Sequence, residues 1–339
     1  MNTTELNKIA RAMVAPGKGI LAADESMGSI EKKFKKIDLS STEENRRVYR
    51  DLFIATPGME EFISGVILFD ETIRQKALDE RLFVEVLRTK GVIPGIKVDG
   101  GLEAMVDSPN EKVTKGLDGL ADRLKEYFSS GARFTKWRAE IYISETLPTE
   151  QNILENSRRL AEYSRLSQEA GLVPIPEPEV MMKGNHTLEK CAEVSEVVLR
   201  SLFEELKKAG VALEGIILKT NMAIPAQESG QSATPEEIAQ ATLSVFSKSV
   251  PSSVAGIVFL SGGQSEKEAT INLDAVSKQG RQPWPISFSY GRALQDSALM
   301  IWKGEPGNVE SARKAFYHRA KMNSLARQGK YSVDLEKEI

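Results

Sequence analysis

Two periodicities alternate along most of this chain. Short β-rich apolar runs, bounded by turn residues, are separated by longer stretches whose apolar positions fall three and four apart. The runs are GKGILAAD (17–24), ISGVILFD (63–70), GVIPGIKVD (91–99), ARFTKWRAEI (132–141), LVPIPEPEV (172–180), GIILKTNM (215–222), AGIVFLSGG (255–263) and PWPISFSYG (283–291). The intervening stretches carry helix punctuation. Ser41 and Glu44 read as a capping box. Thr234, Pro235 and Glu237 supply an N-cap, a first-turn proline and an N3 carboxylate, and Ser265 with Glu268 repeats the box. Gly210 closes a long helix as its C′ residue. Eight strands alternating with helices predict a parallel sheet, and eight is the number that closes a (β/α)8 TIM barrel with its helices outside.

An open doubly wound sheet would show fewer strands and a glycine fingerprint after the first of them. Here the nearest match, Gly17 to Ala22, has a helix before it and a strand within it, so nucleotide binding is not expected. Leu6, Ile9, Ala10 and Met13 share one face of a helix over about residues 3–14, interrupted by charges as a signal peptide is not. With no repeat or linker, the expectation is a single domain over 1–339, ending in a polar, mobile tail from about Gln328.

Composition narrows the function. Of 339 residues, 41% are apolar and 27% charged, and 45 Lys+Arg against 48 Asp+Glu leave a net charge of −3. That balance favours neither nucleic acid nor anionic membrane as a partner. A lone cysteine, Cys191, excludes an internal disulfide framework and suits a reducing, cytoplasmic setting. Two histidines, His186 and His318, cannot build a three-histidine metal site, so no metal is expected. No apolar run approaches the 18 residues that a membrane-spanning helix needs.

The chemistry lies in what interrupts the apolar runs. Asp24 ends the first strand and Lys97 stands near the end of the third. Lys136 and Arg138 lie in the fourth, Glu177 and Glu179 in the fifth, Lys219 in the sixth, Ser261 in the seventh, and Arg292 just after the eighth. Pairs at i, i+2 share one strand face, so these charges converge at a barrel mouth if their faces point inward. Taken singly, each has a duller explanation as a solvated strand tip, a helix cap or a salt-bridge layer. Together they complement one another.

Two polar segments suggest phosphate. Ser261-Gly262-Gly263 and Gly291-Arg292 follow strands 7 and 8, where barrels commonly seat phosphate groups. Ser26, Gly28, Ser29, Lys32 and Lys33 follow strand 1 and are expected on the opposite rim as a second site. A substrate phosphorylated at both ends is then implied. A lysine crowded by other cations sheds its proton more easily, and a neutral amine forms a Schiff base with a ketone. Lys219, alternating with Ile217, is the best placed. Glu177 could move the protons, although spacing alone does not choose among Lys97, Lys136 and Lys219.

The ordered set GKGILAADES, GIKVD, KWR, PEPE, LKTNM, FLSGGQS and SFSYGRALQ, spread from Leu6 to Tyr331, resembles the class I (Schiff-base) fructose-1,6-bisphosphate aldolases. The resemblance implies reversible cleavage of fructose 1,6-bisphosphate to dihydroxyacetone phosphate and glyceraldehyde 3-phosphate, with no cofactor, in a homotetramer. It assigns Lys219 as the imine-forming nucleophile, Glu177 as general acid and base, Lys136 as the neighbour that tunes the site, and Asp24 as acceptor of the C4-hydroxyl proton. Lys97 and Arg138 become substrate-contacting cations and Glu179 a supporting carboxylate. Ser261, Gly262 and Arg292, with Gly263 and Gly291 beside them, become the C1-phosphate cradle. Ser26, Ser29, Lys32 and Lys33 become the C6-phosphate rim.

Three features depart from that pattern. Thr220 follows Lys219 where the family commonly has proline, Lys33 stands where arginine is frequent, and the chain ends YSVDLEKEI without a terminal tyrosine. Deleting the residues after about Tyr331 is therefore expected to leave cleavage largely intact. A Schiff-base aldolase preferring another bisphosphate, such as sedoheptulose 1,7-bisphosphate, is the alternative enzyme. A silent sugar-phosphate-binding scaffold is the alternative without catalysis.

Overall fold

The computed structural model describes residues 2–337. The eight expected strands are β1 (Gly19–Ala23), β2 (Ile63–Leu68), β3 (Ile93–Lys97), β4 (Phe134–Ile141), β5 (Val173–Val180), β6 (Ile217–Thr220), β7 (Gly256–Phe259) and β8 (Ile286–Tyr290). They form one parallel sheet in the order β5-β4-β3-β2-β1-β8-β7-β6, so the first strand pairs with the last and the sheet curls into a barrel.

Between β5 and β6 no backbone ladder forms among the described residues, and the sequence of β5 explains it. The N–H groups of Val173 and Met181 donate to carbonyl oxygens of Arg133 and Ile141, which turns the odd positions of β5 toward β4. The even positions face β6, and there Pro174, Pro176 and Pro178 have no N–H to offer. The remaining donor, Val180 N–H, bonds at 3.0 Å to Oδ1 of Asn221, just past the end of β6. A side-chain amide thus substitutes for the missing ladder.

The lower half of the barrel interior is apolar. Ile20, Ala22, Ile67, Phe134, Val173, Ile175, Ile217 and Val258 pack there with Leu6, Ala10 and Met13 of helix α1 (Thr3–Met13). The amphipathic N-terminal helix therefore closes the bottom of the barrel. Gly95 of β3 makes room for Phe134, since a Cβ on Gly95 would overlap its ring. Outside the strands a second core includes Trp137, stacked on Tyr163 at 5.4 Å and fully buried. Truncation of such a side chain to alanine costs about 3–5 kcal/mol. Beneath the barrel, the Arg327 guanidinium ends the helix Val309–Arg327 and donates to the carbonyl oxygens of Val14, Ala15, Lys18 and Ile286.

The capping signals at Thr234, Ser265 and Gly210 hold. The proposed Ser41–Glu44 box does not. The N-cap of α3 (Glu43–Ile54) is Thr42, whose hydroxyl accepts from Asn45 N–H at 3.1 Å, while the Ser41 carbonyl oxygen accepts from Arg46. The tail is not a free polar segment. Val333–Lys337 forms a 3-10 turn, and Glu336 accepts from Tyr331 Oη at 2.9 Å and from the buried Arg319. A buried guanidinium without this carboxylate would be costly, which is reason enough for the tail to dock. A hairpin of Leu102–Met105 and Ser108–Thr114 follows β3 and had no signal, because its residues are mostly polar on both faces.

Candidate active site

Along four strands the inward face changes character. Ile20 and Ala22 on β1 lead to Asp24, and Phe134 on β4 to Lys136, Arg138 and Glu140. Val173 and Ile175 on β5 lead to Glu177 and Glu179, and Ile217 on β6 to Lys219. Side chains two residues apart share a face, so the charged residues continue the apolar ones upward into the mouth. They line a cavity of about 700 Å³ together with Ser26, Ser29, Lys32, Lys33, Lys97, Ser261, Gly262, Gly291 and Arg292.

At its floor four buried charges are chained together. Glu177 places Oε1 3.0 Å from Lys219 Nζ and Oε2 2.8 Å from Lys136 Nζ. Lys136 also donates to Oδ2 of Asp24 at 3.1 Å. Burial disfavours every ionised form here, yet the opposite charges outweigh it. Burial would raise the Asp24 carboxyl, but Lys136, Lys219 and Lys97 draw it down to about 2. Burial acts the same way on Glu177, and Lys136, Lys219 and Arg138 hold it below the usual carboxylate range. Lys136 would be pushed down by burial, but Asp24 and Glu177 keep it well above the ordinary lysine value.

Lys136 is thus held between two carboxylates that favour its ammonium form. Lys219 is not the lone cation that crowding alone suggested, because it lies against the Glu177 carboxylate. Lys97 pairs with Asp99, and Arg138 with Glu140 and, at 2.5 Å, Glu179. Thr220, in the position after Lys219, is buried within β6 and its carbonyl oxygen accepts from Leu260 N–H, so strand pairing continues past it.

The polar rims differ from expectation in one respect. Because β8 pairs with β1, the loops after these strands are neighbours on the ring and not opposite rims. Helix α2 (Met27–Phe34) begins at Ser26, whose hydroxyl lies 3.1 Å from that of Ser29. Nothing lies within 4 Å of where a Gly28 Cβ would be. Lys32 and Arg292 line the cavity without an ion-pair partner among the described residues, leaving two cations free for anionic ligands. Lys33 turns inward to Glu25 at 2.5 Å and to Gln295. Gly291 caps the helix Arg292–Trp302. Gly263 sits at φ +77° against Met182 and Gln227 and is outside the lining, while Ser261 and Gly262 are in it.

The mouth also holds Glu25, Lys36, Asp99, Glu140 and Ser289, which the sequence reading passed over. Two of these had a usable signal: Asp99 lies two residues after Lys97, and Glu140 two after Arg138, on the same strand faces. Among the described residues no group of three or more His, Cys, Asp or Glu is arranged to hold a metal ion. Among the described residues no helix is long and apolar enough to cross a membrane.

The family model described as fructose-bisphosphate aldolase class-I matches residues 5–339. The chain belongs to the class-I fructose-bisphosphate aldolase family. It is 51% identical to the fructose-bisphosphate aldolase of Dictyostelium discoideum, over 97% of this chain and 93% of that one. It is 49% identical to the cytosolic fructose-bisphosphate aldolase 4 of Arabidopsis thaliana, over 99% of this chain and 86% of that one. Fructose-bisphosphate aldolase of Plasmodium falciparum, solved in complex with TRAP and a small-molecule inhibitor, superposes with a TM-score of 0.96 at 46% identity, covering 97% of this chain and 96% of the other. The aldolase is accordingly a lyase that reversibly cleaves fructose 1,6-bisphosphate, a step of glycolysis, to dihydroxyacetone phosphate and glyceraldehyde 3-phosphate. Class-I aldolases do this through a lysine imine and without a metal, so side chains of the chain itself carry the chemistry.

Proposed function

We propose that the buried chain Lys219–Glu177–Lys136–Asp24 divides the aldolase reaction among its members. The observation that carries this reading is the position of Glu177, with one oxygen on each lysine. A lysine must lose a proton before it attacks a carbonyl carbon, and Glu177 is within reach to take it. The Lys219 amine adds to C2 of the open-chain ketose. Glu177 returns the proton to the departing hydroxyl, and water leaves as the imine forms. Asp24 accepts the proton of the C4 hydroxyl while the C3–C4 bond breaks, releasing the aldehyde. The bonding pair moves into the protonated imine, which becomes an enamine. Protonation at C3 and hydrolysis then release dihydroxyacetone phosphate and restore the lysine. Lys136 remains charged throughout and holds both carboxylates in place.

Arg138 and Lys97, each steadied by carboxylates, contact the sugar hydroxyls, and Glu179 fixes Arg138. Ser261, Gly262 and Arg292 receive the C1 phosphate, with Gly263 shaping their turn and Gly291 opening the helix. Ser26, Ser29 and Lys32 receive the C6 phosphate. The whole chain acts as one catalytic unit, working in the cytoplasm as the name of its Arabidopsis relative suggests. A homotetramer follows from the family resemblance, and light scattering at working concentration checks it.

The deciding experiment is borohydride reduction in the presence of dihydroxyacetone phosphate and a chelator, followed by mapping of the adduct. One adduct, on Lys219, is expected. An adduct on Lys97 or Lys136 would reassign the nucleophile, and chelator-sensitive cleavage without an adduct would overturn the imine route.

A further inference from the structure

Behind the phosphate rim lies a second buried cluster that the reaction does not use directly. Gln295, in the helix Arg292–Trp302, is fully buried. Its Nε2 donates to the Ala22 carbonyl oxygen of β1 at 3.0 Å. That bond fixes the amide's orientation, leaving Oε1 to accept from Tyr49 Oη of α3 at 3.2 Å and from Lys33 Nζ of α2. Lys33 in turn bonds Glu25, which Arg50 of α3 grips from the other side at 2.5 Å.

One amide thus fastens three helices to β1, the strand that leads to Asp24. Two of these helices present cations to the mouth. Arg292 is three residues before Gln295 on one helix, and Lys32 is the neighbour of Lys33 on the other. The Gly291 end is drawn to the same place, since a Cβ there would lie 3.3 Å from the Ala22 carbonyl oxygen.

We propose that Gln295 and Lys33 are positioning residues that set the spacing between the two phosphate sites, and thereby the aldolase's preference for a ketose phosphorylated at both ends. This rests on the two-phosphate reading above. Lys33 departs from its expected role: with its ammonium engaged by Glu25 and Gln295, it acts through the helix that carries Ser26, Ser29 and Lys32. A ketose with a single phosphate engages one site and is indifferent to the spacing. A bisphosphate must satisfy both at once, and a small misplacement of bound groups is costly.

The test compares steady-state cleavage of fructose 1,6-bisphosphate and fructose 1-phosphate by wild type, Gln295→Leu, Lys33→Met, Lys33→Arg and Lys32→Met. Gln295→Leu and Lys33→Met should each raise KM for the bisphosphate about tenfold, the effect of losing one charge-assisted contact. Their kcat should stay within about threefold, and KM for the monophosphate should be nearly unchanged. Lys33→Arg, which keeps the donors, should restore most of the loss. Adding Lys32→Met to Gln295→Leu should give less than the product of the single effects, because one acts through the other. Equal losses on both substrates, or strictly multiplicative losses in the double variant, would overturn the proposal. Should Gln295→Leu fail to fold, Lys33→Met, which leaves Glu25 paired with Arg50, carries the test, with Lys33→Met plus Lys32→Met as the double variant. Failure of wild type to prefer the bisphosphate at all would instead strike at the two-phosphate reading.

Discussion

Glu177 and Lys219 meet at 3.0 Å across the seam where the neighbouring strands β5 and β6 share no backbone ladder. Their separation is set by side chains, through the ion pair itself and the Val180–Asn221 bond. The alternate prolines of β5 that open this seam flank Glu177, so the same short segment supplies the carboxylate and removes the ladder beside it.

Replacing the carboxylate should therefore damage chemistry more than binding. Glu177→Gln is expected to lower kcat by roughly 10²–10⁴, the range typical for loss of a general acid–base, with a much smaller change in KM. Single-turnover borohydride trapping should show imine formation slowed in proportion. Trapping at the wild-type rate would move the proton-handling role to another group.

Asn221→Leu removes the amide that bridges the seam and leaves the Val180 N–H buried without a partner. The expected cost is about 1–3 kcal/mol in urea unfolding. Because Asn221 lies two residues beyond Lys219, kcat should fall as well, and an unchanged kcat with unchanged stability would show that the bridge is dispensable.

The acid limb of stability should carry a signature of Asp24. Its pKa moves from 3.8 to about 2 on folding, so the folded protein holds this proton less tightly than the unfolded chain. That stabilisation, about 2 kcal/mol, is complete above roughly pH 4 and is lost as pH falls toward 2. Between pH 5 and pH 3, the Asp24→Asn variant should lose about 1 kcal/mol less in unfolding free energy than wild type. Identical slopes in urea titrations would refute the assignment.

Much of this was legible in the residues. Eight apolar runs gave the strands, and helical spacing at Leu6, Ala10 and Met13 gave the plug. The i, i+2 pairs Lys136/Arg138 and Glu177/Glu179 placed two charged faces in the mouth. Who pairs with whom was not legible. That Glu177 divides itself between two lysines depends on the order of strands around the ring, which local patterns do not encode. The adjacency of the loops proposed to seat the two phosphates was hidden for the same reason, since it follows from β1 pairing with β8. The hairpin was missed because its residues are mostly polar; it is tied to the barrel by contacts such as Thr114 Oγ1 donating to the Arg138 carbonyl oxygen, which no alternating face announces.

The docked tail changes what truncation should do. Removing the residues after Tyr331 should leave kcat for cleavage within about threefold, yet it deprives buried Arg319 of Glu336, the carboxylate paired with it. Breaking a buried pair from one side costs about 3–5 kcal/mol, so the melting temperature should drop clearly. A truncated chain as stable as the full one would mean that Arg319 finds another partner.

At the underside, Arg327 is a buried guanidinium held by carbonyl oxygens, and burial draws its pKa down to about 10. Arg327→Leu strips bonds from four carbonyl groups and should destabilise the fold by about 2–4 kcal/mol. Activity per folded molecule should persist. A large loss of kcat at full stability would instead tie the lower closure to the chemistry above.

The change from apolar to charged along each inward face has a consequence for traffic. Ile175, Ile217, Phe134 and Ala22 lie directly beneath the ionised quartet, and α1 seals the space below them. Among the described residues the floor beneath the lysine is packed and apolar, and the cavity that the charged groups line opens at the mouth. A bisphosphate seated there as proposed would stand between the charged groups and bulk water, so that their protons would pass to the sugar and to one another.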